Sequence, residues 1–373
     1  MNENFRVALV GCGFIGRVHA QAMARVDGLE VVALVDPDER AAATLAELIE
    51  SELDRTRPLI AATLGEAIAA TSPDLVVICT PSGTHLDLAT EAVESGAHVL
   101  IEKPLDVSVT HARRFRLLAE QAVTRGQVIS VVSQHRFDPA AVVVAEATRT
   151  GGFGRLTSGL ASVAWWRDQA YYDSGSWRGT WQLDGGGAVM NQSVHAVDLL
   201  LHFLGTPVEV FAHTGLLAHE RIEVEDVAVA TLRFASGALG VLHATTAAAP
   251  GLTMRLQVHG TEGSAVIDDD RLEFFASARL GEGDVSASLV APSQLRRNPP
   301  DADAFLQGHL RQYTDLVDSL RTGRAPGVTV DEALLALAVV HSIYLSATLG
   351  RPVLVDEVLR GDHDDVPLVT GPS

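Results

Sequence analysis

Phe5-Arg6-Val7-Ala8-Leu9-Val10-Gly11-Cys12-Gly13-Phe14-Ile15-Gly16 is the stretch on which the fold turns. A short apolar run ends in glycines spaced Gly-x-Gly-x-x-Gly, and a helical pattern continues from His19 to Val26. Strand, tight turn and helix in that order open a βαβ unit. Glycine turns are common, and what sharpens this one is Asp36. It lies twenty residues past Gly16 and closes a second apolar run, Val31–Val35. Gly11 makes the turn, Gly13 lets the backbone approach a pyrophosphate, and Gly16 lets helix and strand pack closely. Phe14 and Ile15 begin the helix whose unpaired N–H groups face phosphate. A carboxylate at Asp36 accepts hydrogen bonds from ribose hydroxyls and repels a 2′-phosphate. The expected cofactor is therefore NAD, with NADP disfavoured and Arg40 near enough to soften the rule.

Outward from that stretch the pattern repeats. Arg40–Glu50 reads as helix, Leu75–Cys79 as strand, Leu86–Ser95 as helix, His98–Ile101 as strand, Val109–Thr124 as helix and Val128–Val132 as strand. Strands alternating with helices imply a doubly wound parallel sheet. After about Ser133 the pattern changes. Val227–Phe234 and Ala238–Thr245 flank Ala235-Ser236-Gly237, and Leu256–His259 and Ser264–Ile267 flank Gly260-Thr261-Glu262-Gly263. Short glycine-bearing turns between alternating strands predict an antiparallel meander. Helices follow near Ala304–Arg321 and Val330–Thr348, after an irregular segment at Gly281–Pro300. The expectation is an α/β nucleotide-binding domain over residues 1–133 and an α+β domain over 134–373, its last helices packing back on the first.

Two groups carry candidate chemistry. Glu102-Lys103-Pro104 follows a strand on the ligand edge of the parallel sheet. A lysine there can hold negative charge developing on a reacting hydroxyl, while a solvated surface lysine is the plainer reading. Farther on, Gly185-Gly186-Gly187 leads into an apolar helical pattern that places Asn191, His195 and Asp198 on one face. His195 is suited to take a hydroxyl proton near neutral pH, and Asn191 to orient a substrate hydroxyl. A core histidine satisfied by Asp198 is the competing reading.

All four tryptophans lie between Trp165 and Trp181, with Tyr171 and Tyr172 among them. Trp177, Arg178 and Tyr172, with Arg167 and Asp173, suit a polyhydroxylated ring, which has apolar faces and a polar rim. A hydrophobic plug between domains is the alternative. The arginines also suit a phosphate or carboxylate, as in a nucleotide sugar or uronate.

Composition narrows the rest. A net charge of −19 and no basic cluster argue against nucleic acid and anionic membrane as partners. Two cysteines, Cys12 and Cys79, make no disulfide framework and no metal site. No stretch reads as a membrane span or signal peptide, so a cytoplasmic setting is expected.

Together these residues resemble the glucose–fructose oxidoreductase and inositol dehydrogenase (Gfo/Idh/MocA-type) family over nearly the whole chain. The match runs through the glycine fingerprint, Thr80-Pro81, His85, Glu102-Lys103-Pro104, the glycine run, and His195 with Asp198. The resemblance implies a Rossmann domain and a second domain with a large open sheet that usually forms the subunit contact, hence a homodimer or homotetramer. It implies that Thr80, Pro81, His85, Glu102 and Lys103 lie at the cofactor. Lys103 and His195 would act on the secondary hydroxyl of a sugar or cyclitol, and the Lys-Pro bond would be cis. Two positions depart from the pattern: Asn191 stands where the dehydrogenases often have Asp, and Gly83 where an Asn is frequent. A glycoside hydrolase using tightly held NAD without net redox change and a non-catalytic NAD-binding sensor are the alternative functions.

Overall fold

The computed structural model describes residues 4–299 and 303–369; Pro300 and the end of the acidic tail lie outside them. In chain order the first elements are β1 (Phe5–Val10), α1 (Phe14–Met23), β2 (Leu29–Val35), α2 (Glu39–Ser51), β3 (Leu59–Ala61), α3 (Leu64–Thr71), β4 (Leu75–Ile78), α4 (His85–Glu94), β5 (His98–Ile101), α5 (Val109–Thr124) and β6 (Ile129–Val131). They continue with α6 (Pro139–Arg149), β7 (Leu156–Ala164), α7 (Gln169–Asp173), α8 (Val194–Leu204), β8 (Pro207–Gly215), β9 (Val227–Phe234), β10 (Leu239–Thr245), β11 (Met254–Gly260), β12 (Gly263–Asp268) and β13 (Arg271–Ser277). The chain closes with α9 (Ala304–Thr322), α10 (Val330–Leu349), β14 (Val353–Leu354) and α11 (Val355–Arg360).

Two compact units result. The first runs to Gln134 and resumes over Asp303–Leu334; the second begins at His135 and resumes at Leu335. The first unit is a parallel sheet in the order β3-β2-β1-β4-β5-β6. Both faces of its central strands are covered, so β1 and β4 read as continuous apolar runs. Strand order reverses beside β1, where doubly wound folds bind their ligand. α9 belongs to this unit: Tyr313, Leu316 and Val317 join the core formed by Val7, Leu9, Leu34 and Val77. The short β3 and α3 are absent from the sequence reading, although Thr63 and Glu66 form a complete capping box at the start of α3.

The second sheet runs β13-β12-β11-β7-β10-β9-β8-β14. It corrects the expected simple meander, because β7 enters between β10 and β11 and pairs with β10 in parallel. β7 is hard to foresee: its sequence LTSGLASVA is rich in small residues. Gly159 at its centre lets Leu200 and Leu204 of α8 come down onto the strand. α8 itself is buried almost all round, as a helix laid on a sheet and covered by other elements must be.

α10 corrects a further expectation, that no segment is apolar enough for a membrane span. By length and composition it could cross a membrane, yet about two-thirds of its apolar stretch is buried inside the fold. Ala338, Val339, Val340 and Ile343 have no exposed surface, so this is a core helix.

Candidate active site

The cofactor side assembles at the turn after β1. Gly11 has φ +95°, and a Cβ there would stand 2.5 Å from the Cys79 carbonyl oxygen. A Cβ on Gly16 would run into the Gly11 carbonyl, whereas one on Gly13 would meet nothing within 4 Å. Two glycines are thus demanded by the protein's own backbone. The third leaves open space at the start of α1, the opening a pyrophosphate requires. Phe14 is 76% exposed beside it. Asp36 is held by two backbone donors, Cys12 N–H at 2.8 Å and Asp38 N–H at 2.9 Å. Each oxygen keeps a lone pair for a ribose hydroxyl. These residues fit NAD.

Lys103 is half-buried, and the Lys103-Pro104 bond is cis. Glu102, expected at the cofactor, is instead 5% exposed and spends its carboxylate inside the unit. It accepts the Lys103 N–H at 2.8 Å and meets His19 Nε2 at 2.9 Å. The other His19 nitrogen meets the Tyr313 hydroxyl of α9 at 2.5 Å. Burial pushes the Glu102 carboxyl up, but the His19 hydrogen bond and charge, then Lys103 and His309, outweigh it and hold it at about 2. Burial pushes the Tyr313 hydroxyl up, and the His19 ring bridges it to the Glu102 carboxylate. A fixed negative charge therefore sits one residue before Lys103.

His85 is likewise engaged inside the unit. It has 1% of its surface exposed, and its ring bridges the carbonyl oxygens of Thr80, at 2.9 Å, and Pro104, at 2.8 Å. Burial lowers its pKa. It braces the loop after β4 against the loop after β5, which carries Lys103. Thr80 takes a hydrogen bond from Thr84 at 2.8 Å, and Pro81 starts the turn between them.

In the second unit the glycine run does not lead straight into one helix. Ala188–Gln192 form a single π turn, Ser193 breaks it, and α8 starts at Val194. The single face predicted for Asn191, His195 and Asp198 is divided accordingly. A Cβ on Gly186 would strike the Tyr344 hydroxyl, and one on Gly187 the Glu225 carbonyl. Glu225 has no exposed surface, accepts the N–H groups of Gly187 at 3.0 Å and Val189 at 2.8 Å, and takes the Tyr344 hydroxyl at 3.1 Å. Burial raises its carboxyl to about 7 against those donors. Neither Glu225 nor Tyr344 is signalled by spacing, since they lie 38 and 154 residues from their partners Gly187 and Met190.

Asn191 donates to Asp184 Oδ1, while Asp184 Oδ2 accepts Gly179 N–H at 2.8 Å. A carboxylate thus stands behind the amide at the position where the resemblance leads one to expect Asp. Asp198 faces inward. It is 6% exposed and takes a bidentate pair from Arg136 at 2.7 and 2.6 Å, a brace between α8 and the turn before α6. His195 itself is half-buried at the first turn of α8.

Beside this lies the aromatic segment. Arg178 stacks 4.3 Å over Tyr171 and 4.4 Å over Trp177, and donates to the Tyr171 hydroxyl at 2.7 Å. Gln192 donates to the same hydroxyl at 3.0 Å, and Arg167 reaches Gln192 Oε1 at 3.4 Å. The segment is a cation–aromatic surface tied to the π turn through Gln192. Tyr172 is the exception. It is 5% exposed, its hydroxyl lies 2.8 Å from Thr246 Oγ1, and burial raises it to about 12. It supports the surface from beneath.

Residues 5–132 match the family described as "Oxidoreductase family, NAD-binding Rossmann fold", and residues 142–266 match the "GFO/IDH/MocA C-terminal domain". The WlbA dehydrogenase of Bordetella pertussis, solved with NADH and UDP-GlcNAcA, is 30% identical with a TM-score of 0.81, over 94% of this chain and 98% of that one. The chain belongs to this family. The scyllo-inositol 2-dehydrogenase (NAD(+)) of Bacillus subtilis (strain 168) is 27% identical over 95% of this chain and 98% of its own. The myo-inositol 2-dehydrogenase of Thermotoga maritima is 26% identical over 95% and 99%. The family membership and the Gly11–Gly16 cradle together make this an oxidoreductase with NAD as cofactor.

Proposed function

We propose that the enzyme oxidises a secondary hydroxyl of a sugar, sugar derivative or cyclitol, or reduces the corresponding ketone, with Lys103 and His195 acting on the reacting hydroxyl. The carrying observation is the pairing of a polar aromatic surface with a half-buried histidine at a helix start, in a chain whose other unit has a complete NAD cradle. Arg178, Trp177 and Tyr171 offer stacking faces and donors to a ring with apolar faces and a hydroxyl rim. Asn191, backed by Asp184, is placed to orient a hydroxyl. NAD, when bound, supplies the hydride acceptor. His195 takes the hydroxyl proton as hydride departs. Lys103, beside the Glu102 carboxylate, holds the negative charge developing on oxygen. Relatives that act on inositols and a neighbour solved with a nucleotide-sugar acid support a polyhydroxylated substrate.

Steady-state kinetics test the assignment. His195→Ala and Lys103→Ala should each lose about 10²–10⁴ in turnover, with NAD affinity kept in a direct titration. Near-normal turnover in either variant removes that residue from the mechanism.

The reading includes a homo-oligomer in the cytoplasm, with the thiols of Cys12 and Cys79 buried and unpaired. Support for assembly comes from β9 and β10, whose outward positions Val229, Leu239 and Val241 are 47%, 58% and 38% exposed. An apolar strand face of this kind marks an interaction surface. Val229→Glu with Val241→Glu should yield a monomer by sedimentation.

A further inference from the structure

The His135 ring meets His195 edge to face, with centroids 4.9 Å apart and planes at 88°. One nitrogen of His135, Nδ1, lies 3.0 Å from Asp138 Oδ2 and 3.2 Å from Asp270 Oδ1. Only an N–H can serve a carboxylate, so that nitrogen carries a proton. Asp138 is the residue before α6. Asp270 comes from the β12–β13 turn, where Asp269 and Asp270 have φ +54° and +62°. Two successive non-glycine residues in the left-handed region are unusual, and here the turn delivers a carboxylate to His135.

We infer that His135, hydrogen-bonded to Asp138 and facing the Asp270 carboxyl, is a positioning residue for His195: it fixes the ring edge-on and favours the imidazolium formed when His195 takes the substrate proton. The charge argument holds across protonation states. While either carboxylate is ionised, the three groups together are neutral or negative, never positive, and negative charge nearby favours a protonated imidazole. Burial pushes the Asp270 carboxyl up, with Asp138 and Asp269 adding to it and His135 and Arg271 opposing.

Other charged or titratable groups on elements packed against α8 have partners of their own. Glu146 and Arg149 of α6 hold each other, and Arg255 of β11 holds Asp268 and Glu273. Arg136 holds Asp198 one turn along α8, and His259 of β11 meets Ser264. β7 brings no titratable side chain. Asp184 is engaged by Asn191 on the preceding turn, and Arg271 of β13 by Asp269.

This inference rests on His195 being the base. The test is kcat/KM for substrate oxidation against pH, for the native enzyme, Asp270→Asn and Asp138→Asn, with His195→Ala alongside. His195 works unprotonated, so the rate falls on the acid side of its pKa. Removing a neighbouring negative charge lowers that pKa, and the acid limb should move down by about 0.5–1 pH unit. Either asparagine variant suffices if the other fails to fold. An unmoved acid limb in a folded variant, with His195→Ala inactive, overturns the inference and leaves the base assignment standing. Turnover in His195→Ala overturns both.

Discussion

The two glycine runs of this chain do opposite things. In Gly11–Gly16 the middle glycine faces open space, and its neighbours are forced by the crossing backbone. In Gly185–Gly187 the space is filled by the protein itself, Gly186 against Tyr344 and Gly187 against the main chain of Glu225. The first run is shaped for a ligand, and the second for remote parts of its own fold. A ligand contacted through consecutive backbone atoms leaves a short motif. A loop held by partners far away in sequence leaves only the glycines.

That contrast can be broken by mutation, starting with the largest expected effect. Glu225→Ala strands the N–H groups of Gly187 and Val189 and the Tyr344 hydroxyl in the interior. At about 1–3 kcal/mol for each unmet buried group, stability should fall by at least roughly 3 kcal/mol. Denaturant unfolding measures it, and a loss under 1 kcal/mol would mean that the glycine run does not depend on Glu225.

The cofactor side should respond in selectivity. Asp36→Ser removes the carboxylate but keeps a hydroxyl acceptor near the Cys12 and Asp38 N–H groups. The ratio of NADP to NAD use should rise about 10- to 100-fold, the scale of relieving one like-charge contact. An unchanged ratio would remove Asp36 from the ribose.

Trp177→Ala takes away one face of the Arg178 sandwich. The substrate KM should rise about tenfold with NAD affinity unchanged, consistent with the 0.5–1.5 kcal/mol typical of an aromatic contact. Equal losses in both would point to a packing role instead.

Smallest is Tyr172→Phe, which deletes the hydroxyl bonded to Thr246. About 1 kcal/mol of stability should go, with KM unaffected. A KM effect as large as that of Trp177→Ala would return Tyr172 to the substrate surface.

Legibility in the sequence followed the same division. The parallel sheet, its helices and the NAD cradle were readable because each motif is local: Gly11, Gly13, Gly16 and Asp36 span one βαβ unit. Lys103 and His195 stand out in the sequence as residue types suited to a reacting hydroxyl. Their supports were not. Glu102 looked like a cofactor contact but is held by His19 and by Tyr313 of α9, and 294 residues separate that histidine and tyrosine. Asp198 reads as a substrate-side residue on the face of His195, yet its carboxylate is spent on Arg136, 62 residues earlier. The helical period from Asn191 to His195 was a fair reading of apolar spacing, yet the π turn adds a residue that spacing cannot show. β7 was invisible because small residues carry little alternation.

The most direct test of the central claim is the native enzyme with NAD and a panel of inositols, free sugars, uronates and nucleotide sugars, followed by the absorbance of reduced nicotinamide. The account predicts stoichiometric NAD reduction with at least one polyhydroxylated ring, and slower reduction of NADP at equal concentration. Cleavage of a glycoside with no net reduction of NAD would contradict it and establish the non-redox use of the same fold.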